Sequence, residues 1–171
     1  TNNILIDKEQ IKSRTLFSII HFRLPYANVA DVFAGCGQMG IEALSRGAKK
    51  ATFVDNSKAS LDVIRQNIQS TGFTRQSNVI ASDAESFLTH AVEKYDIIFI
   101  DHRMDELDGI EVVNLLRTLE GYDVPKIVCL TANVFTGARD FYLSRGFDEY
   151  LSKPIDVHDL DRIINKFIKR D

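Results

Sequence analysis

The sequence predicts an α/β fold in three layers, a doubly wound, all-parallel sheet with strand order 3-2-1-4-5-6 and an extra N-terminal helix. Three observations carry that expectation. Short apolar runs alternate along the chain with longer stretches of helical period, the signature of repeated strand–helix units. The run Ile97-Ile98-Phe99-Ile100 is apolar at every position, as a strand covered on both faces requires, and it delivers Asp101 to the loop that follows. Gly35-Cys36-Gly37-Gln38-Met39-Gly40 fits G-x-G-x-x-G, placed after one apolar run and opening a helix.

Taken in order, Asp7 is a candidate N-cap for an amphipathic helix with Ile11, Leu16, Phe17, Ile19 and Ile20 on its apolar stripe, and Pro25 stops it. A first strand, Val29–Phe33, leads into the glycine loop and the helix Ile41–Leu44; a second strand, Ala51–Val54, ends at Asp55, 20 residues after Gly35. A helix from Ser57 turns Leu61, Ile64 and Ile68 inward and stops at Gly72. The third strand, Asn78–Ala81, reaches Ser82-Asp83-Ala84 before a helix over Glu85–Glu93. After the fourth strand come a helix over Asp108–Leu119, a strand Lys126–Leu130, a helix over Thr136–Ser144, a strand Glu149–Leu151 and a helix over Val157–Lys169. Right-handed crossovers give the stated order and bring Asp31, Asp55, Asp83 and Asp101 to one edge of a Rossmann-like sheet, where open α/β sheets keep their ligand sites.

Composition bounds the rest. With 171 residues, 44% hydrophobic and 26% charged, the chain suits one well-buried domain. Cys36 and Cys129 lie far apart without metal-type spacing, which points to a reduced compartment, and the cytoplasm is the expected location. No apolar run approaches the roughly 20 residues that span a bilayer, so no membrane partner is expected, and Thr1-Asn2-Asn3 does not read as a signal peptide. Residues 1–94 carry 11 Lys and Arg against 9 Asp and Glu, whereas residues 95–171 carry 10 against 15. Lys49-Lys50 is the sole basic doublet before the final residues, so no nucleic-acid partner is expected. No obligate protein partner is implied, and the expected state is a monomer. His21, His90 and His158 lack ligand spacing and read as surface or packing residues.

The glycine loop and Asp55 are the components of a nucleotide site, since glycines let the backbone approach a ligand and a carboxylate at the second strand tip can accept from two ribose hydroxyls. Asp31–Gly37, Gly40–Ala48, Val54-Asp55 and Tyr95–Asp101 resemble S-adenosylmethionine-dependent methyltransferases of the small-subunit rRNA guanine-N2 family over residues 8–101. The resemblance implies S-adenosylmethionine as cofactor. Gly35 and Gly37 would face its methionine moiety, Asp55 would hold the ribose, Asp83 with Ala84 would meet the adenine, and Asp31 is counted with them among the cofactor-binding residues of the rim. That family follows its fourth strand with an acid and two prolines that hold the amino group being methylated; here Asp101 is followed by His102-Arg103.

Residues 95–168 resemble the C-terminal portion of a response-regulator receiver domain, through Asp101–Met104, Leu107–Glu111, Leu130–Asn133, Gly146–Leu151 and Ser152–Ile155. That resemblance makes Asp101 a phosphoacceptor, Thr131 the hydroxyl that senses the phosphoryl group, Lys153 its charge partner and Tyr150 the switch aromatic. Receivers also bind Mg²⁺ through acids after the first strand, where this chain has Ala34-Gly35-Cys36; Mg²⁺ is therefore not expected, Asp101 being its one candidate ligand. The expectation is a single hybrid domain over residues 1–171, in which a methyltransferase-like segment (residues 1–94) and a receiver-like segment (residues 102–171) share the strand at residues 95–101. A constructed chimera that retains S-adenosylmethionine binding without native catalysis is the leading account. A divergent S-adenosylmethionine-dependent RNA methyltransferase and a phosphoacceptor module are the alternatives.

Overall fold

The computed structural model describes residues 26–91, 95–102, 109–118 and 124–168. Among them, six strands form one parallel sheet: β1 (Asn28–Val32), β2 (Lys50–Asp55), β3 (Ser77–Ala81), β4 (Ile97–Asp101), β5 (Lys126–Thr131) and β6 (Glu149–Ser152). Their order is β3-β2-β1-β4-β5-β6, the one expected from the sequence, with the chain reversing direction of travel between β1 and β4. The helices are α1 (Gln38–Ser45), α2 (Lys58–Thr71), α3 (Ala84–Ala91), α4 (Gly109–Thr118), α5 (Ala138–Leu143) and α6 (Val157–Phe167). The expected helix over Asp7–Pro25 and the segment Arg103–Asp108 lie outside the described residues.

The middle strand explains the layering. Side chains alternate along a strand, so Ile97 and Phe99 enter one apolar cluster while Ile98 and Ile100 enter the other. The first cluster packs Met39, Leu44, Ile64 and Ile68 of α1 and α2 together with Leu160, Ile163 and Ile164 of α6. The second packs Phe87 and Leu88 of α3 with Val112, Val113 and Leu116 of α4 and Tyr142 of α5. β4 pairs in parallel register with β1 on one side, Val29 opposite Ile97, and with β5 on the other, Ile97 opposite Lys126.

Several boundaries shift by a residue or two from the sequence expectation, each for a local reason. β1 stops at Val32 because Phe33 takes a positive φ of 59° and turns the chain into the glycine loop. α5 starts only at Ala138, after Gly137 adopts the left-handed conformation, rather than at Thr136. α2 has the expected ends, Ser57 accepting from the Ser60 N–H and Gly72 closing in the left-handed region.

A buried ion cluster links the first and last helices of one layer. Arg46, just past α1, donates to Glu42 Oε1 at 2.7 Å and pairs with Asp161 of α6, and all three residues are buried. Because an uncompensated buried charge is expensive, Asp161→Ala is expected to lower the unfolding free energy by about 3 kcal/mol in a urea titration, with unfolding still a single transition. A loss under about 1 kcal/mol would show that Arg46 does not depend on α6.

Candidate functional site

The C-terminal tips of β3, β2, β1 and β4 form the edge where the sequence placed its acids, and each acid there has a different surrounding. At the tip of β2, Asp55 is buried and accepts two backbone N–H groups: Gly35 gives one to Oδ2 at 2.9 Å, and Ser57 gives one to Oδ1 at 2.9 Å. The acid thus ties the glycine loop to the start of α2. A carboxylate has about four acceptor positions, so two remain for further donors.

Asp31 lies inside β1 at 2% exposure, and its Oδ2 accepts the Gly40 N–H at 3.0 Å. That bond anchors the first turn of α1, whose N-cap, Gly37, has no side chain to do so and sits at φ 79°. Burial pushes the Asp31 carboxyl up from 3.8 to about 7; the Gly40 N–H opposes this, the Asp101 charge adds to it, Lys153 opposes and Asp55 adds. Gly40 itself is a packing requirement, since a Cβ there would stand 2.6 Å from Phe53 Cζ in the closed contact between α1 and β2. Burial likewise pushes the Cys36 thiol up, which argues against a reactive thiolate in the loop.

At the β3 tip, Asp83 is exposed and accepts the Ser86 N–H at 2.8 Å, capping α3, and these Ser86 bonds hold its carboxyl below the usual range. Ala84 beside it is buried. At the β4 tip, Asp101 is 9% exposed and its Oδ2 accepts from Lys153 Nζ at 2.7 Å. Lys153 is held there by its own backbone N–H, which donates to the Thr131 carbonyl at 2.7 Å and continues the pairing of β6 with β5.

The structure therefore brings Asp101 and Lys153 together, with Thr131 at the neighbouring tip. The Thr131 hydroxyl is buried, accepting from the Asn133 N–H at 3.0 Å and from the Tyr142 hydroxyl at 3.1 Å. Tyr150 stacks on Tyr142 with ring centroids 6.0 Å apart, and His102 meets the same ring edge-on at 5.5 Å. Sequence reasoning misses Tyr142; its one signal there is an aromatic on the inward stripe of a short helix.

Among the described residues no group of three or more His, Cys, Asp or Glu is placed to hold a metal ion. The described residues supply no set of oxygen ligands for Mg²⁺ at Asp101: an ammonium meets its Oδ2, and Asp31 is committed to the Gly40 N–H. They do fit an adenosyl ligand at the other end of the edge, where Asp55 keeps acceptor positions beside a backbone loop that contains two glycines of positive φ, Gly35 and Gly37.

The family model described as conserved hypothetical protein 95 matches residues 8–121. The chain belongs to that family. The putative rRNA methyltransferase YlbH of Bacillus subtilis is 39% identical over 75 residues, 42% of this chain and 40% of that protein. The solved putative methyltransferase yhhF from Escherichia coli is 28% identical at a TM-score of 0.50, over 66% of this chain and 62% of that one. Hybrid signal transduction histidine kinase L of Dictyostelium discoideum is 29% identical over 70% of this chain but 7% of its own length. The chain spans between 4% and 20% of the first curated relatives it matches.

These likenesses favour the methyltransferase alternative over a constructed chimera, and nothing in them marks the chain as engineered. They also correct the expectation that nucleic acid plays no role, because a protein similar over 75 residues of this chain is named for rRNA. That expectation rested on a count of charges along the sequence, which does not register where they gather on the surface. No helix among the described residues is long and apolar enough to cross a membrane.

The displaced Asp31 carboxyl has a measurable consequence. The folded state keeps a proton that the unfolded chain has released, so this group lowers stability as pH rises from about 4 to about 7 and has no further effect above. Asp31→Asn keeps the acceptor for Gly40 and removes the charge, and should be more stable than the parent at about pH 8 by up to about 4 kcal/mol, the gap closing near pH 4 in paired urea titrations. A gap independent of pH would show that Asp31 titrates normally.

Proposed function

We propose that the chain binds S-adenosylmethionine across the tips of β3, β2 and β1 as a methyltransferase-type domain, with RNA as its acceptor class. The observation that carries the reading is Asp55: a buried carboxylate at the second strand tip, tied to the glycine loop through Gly35, with acceptor positions left for a ribose diol. On this reading Gly35 and Gly37 face the methionine moiety, and Asp83 with Ala84 border the adenine, Ala84 presenting a small buried surface and Asp83 fixing the start of α3. Asp31 works from beneath by anchoring α1. RNA as acceptor is supported by the likeness to YlbH. Cofactor binding and methyl transfer are separate properties here, because Asp101 is followed by His102-Arg103 in place of two prolines.

Calorimetry tests the binding. The parent chain is expected to bind S-adenosylmethionine in the micromolar range, about 8 kcal/mol, and Asp55→Ala, shown folded by circular dichroism, to lose at least tenfold, roughly 1.4 kcal/mol. Equal heats in both, or none in the parent, would reject the site. Incorporation of labelled methyl into rRNA tests the acceptor class, and binding without label would confine the chain to holding the cofactor.

A second reading is favoured by one contact, the Asp101–Lys153 pair at 2.7 Å with Thr131 on the adjacent strand tip. We propose that residues 102–171 follow the receiver pattern, joined to the methyltransferase-type segment through β4, with Asp101 the residue that a phosphoryl group would reach. Carboxylate, hydroxyl and ammonium form a coherent set for that chemistry. The loop after β1 supplies no acid to complete a Mg²⁺ site, so Asp101 is expected to bind no beryllofluoride at low-millimolar Mg²⁺ by fluorine NMR. A stoichiometric complex would make the phosphoacceptor reading the leading one.

A further inference from the structure

We propose that Asn67 of α2 is a positioning residue of the adenosyl site, fixing the glycine loop for the amino-acid end of the ligand and leaving the nucleoside end to Asp55. The inference rests on the adenosyl reading above and concerns a side chain that acts through the loop. Its starting point is an amide in an apolar setting. Asn67 is 1% exposed in the interior of α2, where asparagine is a poor helix former and a buried amide is costly unless it is bonded. Ile64 and Ile68, its neighbours on the same side of the helix, are buried apolar residues. The Asn67 Nδ2 donates to the Cys36 carbonyl at 2.9 Å, joining positions 31 residues apart. A carbonyl only accepts, so the amide has to present its NH₂ group there.

The loop needs such a hold because its backbone conformation is unusual. Phe33, Gly35 and Gly37 take positive φ values of 59°, 60° and 79°, and a chain that changes hand this often has more than one way to turn its peptide planes. Each plane is set by a bond. The Ala34 N–H donates to the Val54 carbonyl at 3.0 Å, the Gly35 N–H to Asp55 Oδ2 at 2.9 Å, and the Gly37 N–H to the Ala34 carbonyl at 2.7 Å. The Cys36–Gly37 peptide lies between the two glycines proposed to face the methionine moiety, and Asn67 holds its oxygen. The same helix is the wall behind that peptide, since a Cβ at Gly37 would stand 3.4 Å from Ile64 Cγ1. Turning the peptide over exchanges its carbonyl and its N–H. The bond from Asn67 therefore keeps the oxygen directed at α2, whereas a released oxygen would face the α-carboxylate of the ligand, two acceptors without a proton between them. Ribose and base, recognised at Asp55 and at the β3 tip, do not depend on this peptide.

The test compares S-adenosylhomocysteine with 5′-methylthioadenosine by calorimetry on the full chain. Both carry the nucleoside and a neutral thioether, and they differ by the amino-acid end. Asn67→Leu, close in shape and a better helix former, should weaken S-adenosylhomocysteine by at least about fivefold and leave 5′-methylthioadenosine within about twofold. Asn67→Ala should repeat the split. Ile68→Val, which trims the same side of α2 without touching the loop bond, controls for lost stability and should keep the parent ratio. Equal losses for both ligands in the Asn67 variants, or no loss for either, would overturn this inference and leave the adenosyl reading standing. A chain that folds with neither substitution, judged by circular dichroism, would make Asn67 a requirement of the fold and overturn the positioning role as well. Failure of the parent to bind either ligand would overturn both readings.

Discussion

β4 has to satisfy two neighbouring strands and two helix layers at once, and the rest of the molecule is arranged by how it does so. Its four apolar residues are divided strictly by parity between the two cores, and each is essentially inaccessible to water. A slip of one residue would exchange the two sets and leave Phe99 facing α4 rather than α6. β1 and β5 are therefore held in register from a single strand, and every tip along the edge inherits its height from β4. The position of Asp101 is a consequence of packing four residues upstream of any chemistry.

That edge gathers four carboxylates, and like charges at neighbouring strand tips cost free energy unless each is separately stabilised. The fold gives each a different counterpart. Asp31 faces the first turn of α1, Asp55 holds two amides, Asp83 caps α3, and Asp101 meets an ammonium. Three of the four are thus bound to backbone N–H groups near helix starts or loops, where the helix dipole also favours negative charge. Asp31 is the exception in charge though not in bonding: one amide cannot offset complete burial beside two other acids, so its proton is retained to near neutrality.

Much of this is legible in the sequence, for the reason that the deciding signals are local. Period-2 and period-3.6 patterns locate the strands and helices, and the crossover rule orders them. The glycine loop and Asp55 are legible because their spacing is set by one strand–helix–strand unit. What the sequence does not disclose depends on distant elements meeting. Nothing local distinguishes Arg46 from a surface arginine, or Asp161 from the other acids of α6, until α6 lies down beside α1. Asp31 reads in sequence as a member of a polar rim, but the side chain of a residue one position before the end of β1 points into the layer under α1 instead. Tyr142 acquires its role by facing Thr131 across the gap between α5 and β5.

Lys153 carries the second chemistry proposed for this edge to the tip of β4. An ammonium beside Asp101 stabilises negative charge arriving on that carboxylate, so it suits a phosphoryl group; until such a group arrives the two charges offset one another. The reach of this side chain is set from β5, because its backbone is tied to Thr131 while its Nζ meets Asp101. Asp55, the carboxylate proposed for the ribose, stands two strands away at the tip of β2. The two proposed chemistries accordingly draw on different regions of the chain, adenosyl binding on the β1–α1–β2 unit and phosphoryl chemistry on β4, β5 and the loop after β6.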